Sequence, residues 1–188
     1  MTPIRRTLLI EGSVFFLAYL ACIPLANWMM LNIGTICAVN QPCLIPVFPG
    51  IMSPSGVLVV GLAFTLRDLV HRRLGALAAF VAVMLGTLAT ALVATPSLAL
   101  ASAVAFLVSE TVDLLVYSLL ARRSFVIAVC MSNVVGLLVD SFLFLQIAFG
   151  SVYYMPGQAI GKLWMTVAVL PLICFLRNFD RKRGIAEP

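Results

Sequence analysis

Residues 96–120 read PSLALASAVAFLVSETVDLLVYSLL, a run of bilayer-spanning length with Glu110 and Asp113 deep inside it. A spanning helix needs about 20 apolar residues. A carboxylate near the middle of one costs about 2.5–3.5 kcal/mol even on insertion scales, so it is rarely there without a partner or a task. Glu110, Asp113 and Tyr117 recur at i, i+3 and i+7, which sets two acids and a phenol on one stripe of one helix. That stripe must face other helices. It either locks the bundle by hydrogen bonding or forms part of a functional site, and intramembrane acids favour the second reading.

The rest of the chain has the same character. Of 188 residues, 63% are hydrophobic and 10% charged, with a mean hydropathy of +1.14, whereas soluble domains carry about a quarter charged residues. The composition predicts an all-α, polytopic membrane protein with six transmembrane helices, at about 7–31, 54–71, 75–93, 96–120, 125–149 and 157–176, in one transmembrane domain over 1–188. The net charge of +5 does not indicate direct nucleic-acid binding, because the basic residues sit in short clusters between apolar runs. The five cysteines have no metal-ligand spacing, so neither a metal nor a cofactor is expected. Cys22, Cys130 and Cys174 read as small core residues. Cys37 and Cys43 share a loop and could form a disulfide if that loop is extracytoplasmic.

The first span is interrupted by Pro24, and Glu11 near its start reads as an interfacial residue close to Arg5 or Arg6. Residues 32–53 contain three prolines and no charge, and read as a loop that either covers the bundle or lies passively at the interface. Ser53-Pro54 and Thr95-Pro96 are cap and first-turn pairs that predict helix starts. Gly61, Thr65, Asp68 and Arg72 form one stripe of the second span. Arg67 and Asp68 either pair locally or reach the acids of the fourth span. The third span is apolar, with small residues Ala78, Ala82, Gly86 and Ala89 suited to close helix packing. On the fifth, Asn133, Gly136 and Asp140 fall at i, i+3 and i+7; on the sixth, Gln158 and Lys162 share a side. Lys162 either snorkels to the interface or pairs with Asp140. The tail from Arg177 to Arg183 reads as basic and solvated.

Arg5 and Arg6, His71 to Arg73, Arg122 and Arg123, and the C-terminal cluster alternate with the loops 32–53, 94–95 and 150–156, which have no Lys or Arg. The positive-inside rule therefore predicts that both termini are cytoplasmic. At 1.5 Å per residue, Glu110 lies about 20 Å from the outer start of its helix. Asp113 is deeper, Asp140 and Lys162 belong to the outer half, and Asp68 lies near the inner end.

Catalysis has little support, since no HExxH, no GxSxG and no nucleophile with a base occur. A channel would use repeated rings of like groups. A binding site for a small polar solute fits better: acids accept from N–H groups, amides do both, and Phe48, Tyr117 and Phe144 could cover a flat ring. That set suits a planar heterocycle with an amidine-like edge, such as guanine, and also other amines.

The segments ASAVAFLVSETVDLLVYSLL (101–120) and SNVVGLLVDSFLFLQIAFG (132–150) resemble the vitamin-uptake or queuosine-precursor transporter family of bacterial inner membranes. GQAIGKLWMT (157–166) and, more loosely, GLAFTLRDLVHRRLG (61–75) extend the likeness. The resemblance implies six spans and uptake of 7-cyano-7-deazaguanine or 7-aminomethyl-7-deazaguanine, used to build queuosine in tRNA. It sets Glu110, Asp113, Asn133, Asp140, Gln158 and Lys162 at the family's polar positions. Where many members have an acid and an aromatic after the second span, this chain has Arg72 and Leu74. On this reading Glu110 accepts from the ring N–H and exocyclic amine, Asn133 and Gln158 read the carbonyl side, and Tyr117 adds a ring. Asp140 and Lys162 form an outer gate or orienting pair, Arg67 and Asp68 an inner one, and Asp113 is a candidate for proton coupling. The partners expected are a heterocyclic solute, the lipid bilayer and, as a possible assembly, a second copy of the chain. The alternatives are a substrate-binding subunit of a multicomponent vitamin transporter and a structural scaffold.

Overall fold

The computed structural model describes residues 3–37, 42–93 and 96–184. Among these described residues are six helices: α1 (Pro3–Asn32), α2 (Val57–Leu74), α3 (Ala76–Val93), α4 (Pro96–Leu120), α5 (Phe125–Phe149) and α6 (Met155–Lys182). Four stretches, Arg5–Asn32, Leu100–Leu120, Phe125–Ile147 and Met155–Lys182, are helical, long and apolar enough to cross a membrane, and Ala76–Leu92 is a shorter apolar helix. The surface is correspondingly apolar. Leu77, Leu92 and Leu119 are each more than three-quarters exposed, while Arg67, Asp68, Glu110, Asp113 and Asn133 are wholly buried. That inversion of the soluble pattern marks a multi-pass membrane protein.

The helix that is least apolar is also the most enclosed. Helix α2 carries Arg67, Asp68, His71, Arg72 and Arg73, and buries most of its residues against α1, α3, α5 and α6. Its charges are tolerated because neighbouring helices shield them from the surroundings. Small residues bring the helices close. Gly61 of α2 meets the backbone of Lys162, where an added Cβ would lie 3.0 Å from its Cα, and Gly136 of α5 meets Asp113, 2.8 Å from its Cβ. Ala82 and Gly86 of α3 are likewise buried, as its small-residue stripe predicts.

Several boundaries differ from the sequence reading. The described part of the segment expected as a loop is not structureless: β1 (Leu44–Phe48) and β2 (Ile51–Pro54) pair antiparallel, so the chain is mostly helical, not all-α. Ile45 and Val47 suit a strand, and Pro49-Gly50 turns the chain, with Gly50 at φ 76°. Ser53-Pro54 consequently ends β2 instead of capping a helix, and α2 begins after Gly56. The hairpin is tied down at its base. Cys37 and Cys43 are disulfide-bonded, the Cys43 amide donates to Met30 O at 2.7 Å, Ser55 Oγ donates to Met29 O at 2.8 Å, and Trp164 Nε1 donates to Val47 O at 3.1 Å. The connection at 94–95, with the proposed Thr95 cap, lies outside the described residues.

Helix α6 continues six residues past the expected end at 176. The tail is therefore helical up to Lys182, and Asp180 within it is buried, not solvated. Of the cysteines read as core, Cys22 is buried, but Cys130 is half-buried and Cys174 exposed.

Candidate functional site

The buried polar groups occupy three layers along the bundle. The first, nearest the hairpin, joins α5 to α6. Lys162 pairs with Asp140, and its Nζ also donates to Ser141 Oγ at 3.0 Å; Ser109 Oγ of α4 donates to Asp140 Oδ1 at 3.3 Å. The structure thus pairs Lys162 instead of snorkelling it. The close Gly61–Lys162 approach puts the root of that side chain against α2, and the ammonium lies 5.7 Å from the Phe64 ring centre.

This layer forms part of the wall of a cavity of about 90 Å³. Asp140 and Lys162 are its charged lining, Asn27, Thr90, Ser102 and Gln158 its neutral polar lining, while Ile23, Phe106 and Phe144 are among its apolar walls. Pro54 and Gly56, which follow the hairpin, line it as well. Such a mix of apolar wall and a few convergent polar groups is the usual make-up of a small-molecule site. Phe48, expected to cover a ring, is instead 53% exposed on the hairpin and does not line this cavity.

The second layer lies in the middle. Arg67 Nη2 is 2.8 Å from Asp68 Oδ1 and also pairs with Asp113; its Nε is 3.8 Å from Glu110 Oε2, and its Nη1 donates to the Glu110 carbonyl at 3.4 Å. Arg67 therefore does both things left open by the sequence, binding its neighbour and the acids of α4. Tyr19 of α1 donates to Glu110 Oε2 at 3.4 Å, and Ser132 of α5 to Asp68 Oδ2 at 3.5 Å. Glu110 and Asp113 are brought to this layer and not to the cavity wall, and Asn133, buried on α5 one turn from the Gly136 that meets Asp113, does not line the cavity either. Tyr19, whose ring stacks near Phe106, connects the two. Its importance was not read from the sequence, although Tyr19, Cys22, Ile23 and Ala26 form a visible i, i+3, i+4, i+7 stripe, all buried.

The third layer is at the basic end. Asp180 Oδ2 receives Arg72 Nη2 at 2.7 Å, Arg72 Nε at 3.0 Å and Arg73 Nη1 at 2.9 Å. Arg73 Nε reaches Glu11 at 2.9 Å, and Arg183 reaches it at 3.4 Å. Glu11 thus has its partners on α2 and at the end of α6, in place of the expected Arg5 or Arg6. Its position near the start of α1 lets it close the same end as Asp180. Tyr117 lies towards this end, edge-on to His71 at 4.6 Å and packed with Leu69 and Phe125. It shares a stripe with Glu110 but not a site, because seven residues of helix rise carry it about 10 Å along the axis. Asp180 is the acid that sequence reasoning missed. The helical phase of Ile173, fully buried seven residues earlier, was the available signal.

No curated protein and no solved structure matches the chain. Residues 87–176 match the family model described as "Putative vitamin uptake transporter". That stretch runs from the second half of α3 through most of α6 and contains Glu110, Asp113, Asn133, Asp140, Gln158 and Lys162. Over it, the chain matches the vitamin uptake transporter family, the family that its fourth, fifth and sixth spans resemble.

Proposed function

We propose that this protein is an inner-membrane uptake transporter for a queuosine precursor, 7-cyano-7-deazaguanine or 7-aminomethyl-7-deazaguanine, with six spans and both termini cytoplasmic. The observation that carries the reading is the buried Asp140–Lys162 pair, with Gln158 also lining it, on the wall of a mainly apolar cavity. A carboxylate is a natural acceptor for the ring N–H and exocyclic amine of a guanine-like edge, and the ammonium and amide can donate to its carbonyl. Phe106 and Phe144 supply surfaces for a flat ring.

This assigns substrate contact to Asp140, Lys162 and Gln158. Glu110, first read as the acceptor, sits one helical turn beyond Phe106, in contact with Tyr19. A cavity of about 90 Å³ is smaller than the roughly 300–1,000 Å³ of sites for drug-sized ligands. A bicyclic base therefore enters only when the walls part, as alternating access requires. The charge layers that join α2 to its neighbours are suited to that motion, since ion pairs between helices have discrete made and broken arrangements.

Rescue of tRNA queuosine tests the reading. In a strain that can neither make nor import the precursor, the wild-type gene should restore queuosine when either deazaguanine is supplied, and Asp140→Asn should not. Failure of the wild-type protein, present in the membrane, would overturn the substrate assignment. Uptake by the protein alone in liposomes separates a self-sufficient transporter from a subunit that needs an energising partner.

A further inference from the structure

The three layers differ in charge balance. The hairpin-side layer pairs one acid, Asp140, with one ammonium. The basic-end layer gathers Asp180 and Glu11 against Arg72, Arg73 and Arg183. The middle layer alone has an acid excess, with Asp68, Glu110 and Asp113 all converging on Arg67.

Every one of those four side chains is wholly buried. With all three acids ionised, two negative charges would remain uncompensated among fully buried side chains, an arrangement that buried ions do not tolerate. A metal ion is a poor remedy. The guanidinium occupies the centre of the cluster, and among the described residues no group of three His, Cys, Asp or Glu is disposed to hold a metal. Other nearby groups do not correct the excess either. Helix α1 presents Tyr19; α2 presents His71 a turn beyond Asp68, engaged with Ser118 and the Tyr117 ring. Helix α3 has no charged residue. Helix α5 contributes Ser132 and the uncharged Asn133, and Lys162 of α6 is committed to Asp140.

We propose that the middle layer is a proton-binding site and that Glu110 holds the proton in the state described here. The geometry selects Glu110 among the three acids. Arg67 makes close ion pairs to Asp68 and Asp113 but stands 3.8 Å from Glu110. Glu110 Oε1 has no hydrogen-bond partner among the described residues, a condition that Asp113 Oδ1 shares, so it is the distance from Arg67 that makes the selection. The Asn133 side chain, wholly buried on the α5 stripe that also carries Gly136 and Asp140, has no such partner on either atom. The layer thus contains unused polar capacity at Glu110 Oε1 and Asp113 Oδ1 as well as excess acid. Through Tyr19 and Phe106 the site touches the cavity wall, so a solute that displaces Phe106 also disturbs the Tyr19–Glu110 contact. Resting on the transport reading, the coupling step is a proton transfer only: Glu110 takes a proton when open to the hairpin side and releases it when open to the basic end, with no other bond made or broken.

Infrared spectroscopy of the purified protein in lipid nanodiscs tests the site without any solute. At neutral pH the wild type should show a protonated-carboxyl C=O band that shifts in D₂O. The band should be missing in Glu110→Gln, present in Asp140→Asn, and displaced in Tyr19→Phe, which keeps the acid but removes its hydroxyl neighbour. No such band at neutral pH, or one indifferent to both Glu110→Gln and Tyr19→Phe, would overturn the proposal. In proteoliposomes with an entrapped pH dye, 7-cyano-7-deazaguanine should carry protons inward with the wild type and none with Glu110→Gln. Solute entry without proton movement and without the band sinks the proton site and leaves the substrate reading standing. The band without solute entry does the reverse.

Discussion

Arg72 and Asp180 are 108 residues apart in the chain, yet Arg72 Nη2 and Nε both reach one oxygen of Asp180, at 2.7 and 3.0 Å. The guanidinium is held from its other side by the Phe125 ring, 4.0 Å from its centroid. Arg73 adds a third bond to the same carboxylate oxygen. Residues that a topology rule reads as cytoplasmic markers are thus the fastening that joins α2 to α6.

Asp180→Asn should destabilise the protein by about 3–5 kcal/mol, because it leaves the buried Arg72 guanidinium without its acid and Arg73 with Glu11 alone. Thermal unfolding in detergent provides the measurement, and Asp180→Glu should recover part of the loss. An unchanged melting temperature in Asp180→Asn would mean that the cluster contributes no net stability.

At the other end, Asp140→Asn and Lys162→Met should each lower stability, and the double variant should lie above the sum of the two by about 0.5–3 kcal/mol, since it removes both charges together. Uptake should be lost in all three. A double variant that folds and still transports would remove the pair from the binding site.

Gly136→Ala would press a methyl against Asp113 Cβ at 2.8 Å, the root of that side chain and not its flexible end. The expected cost is about 1–3 kcal/mol, with reduced uptake because the α4–α5 contact holds the middle layer in place. Leu138→Ala, on an exposed part of the same helix, should cost far less by the same unfolding assay.

Removing the Cys37–Cys43 bond by a double serine substitution should lower stability by about 2 kcal/mol, the small value following from the short segment enclosed. A membrane-impermeant reductant applied to spheroplasts should free both thiols if the hairpin faces outward. Protection from it would contradict the proposed orientation.

Tyr117→Phe should leave uptake close to wild type, since Tyr117 packs with Leu69 and Phe125 away from the cavity. A large loss of uptake in a stable Tyr117→Phe protein would return it to the site.

Much of the architecture was legible because it follows from local composition. Apolar runs separated by short basic clusters give helices and their breaks, and the boundaries of α4 and α5 agree with those runs. The hairpin was not legible, because a segment rich in proline and free of charge looks the same whether its backbone pairs or not. Asp180 was hidden for a related reason: one acid among arginines reads as solvated until another helix is known to lie beside it.

By itself, the sequence determined that this chain makes apolar helices and that their acids need partners, since both follow from the cost of polar groups in hydrocarbon. Only the tertiary structure decided which partners those are. Asp140 and Lys162 meet across α5 and α6, whereas Glu110, on the same stripe as Tyr117, turns to Tyr19 and Arg67. The spacing along one helix specifies a face but not what lies opposite, and it is the close approach at Gly61 and Gly136 that sets which charges share a layer.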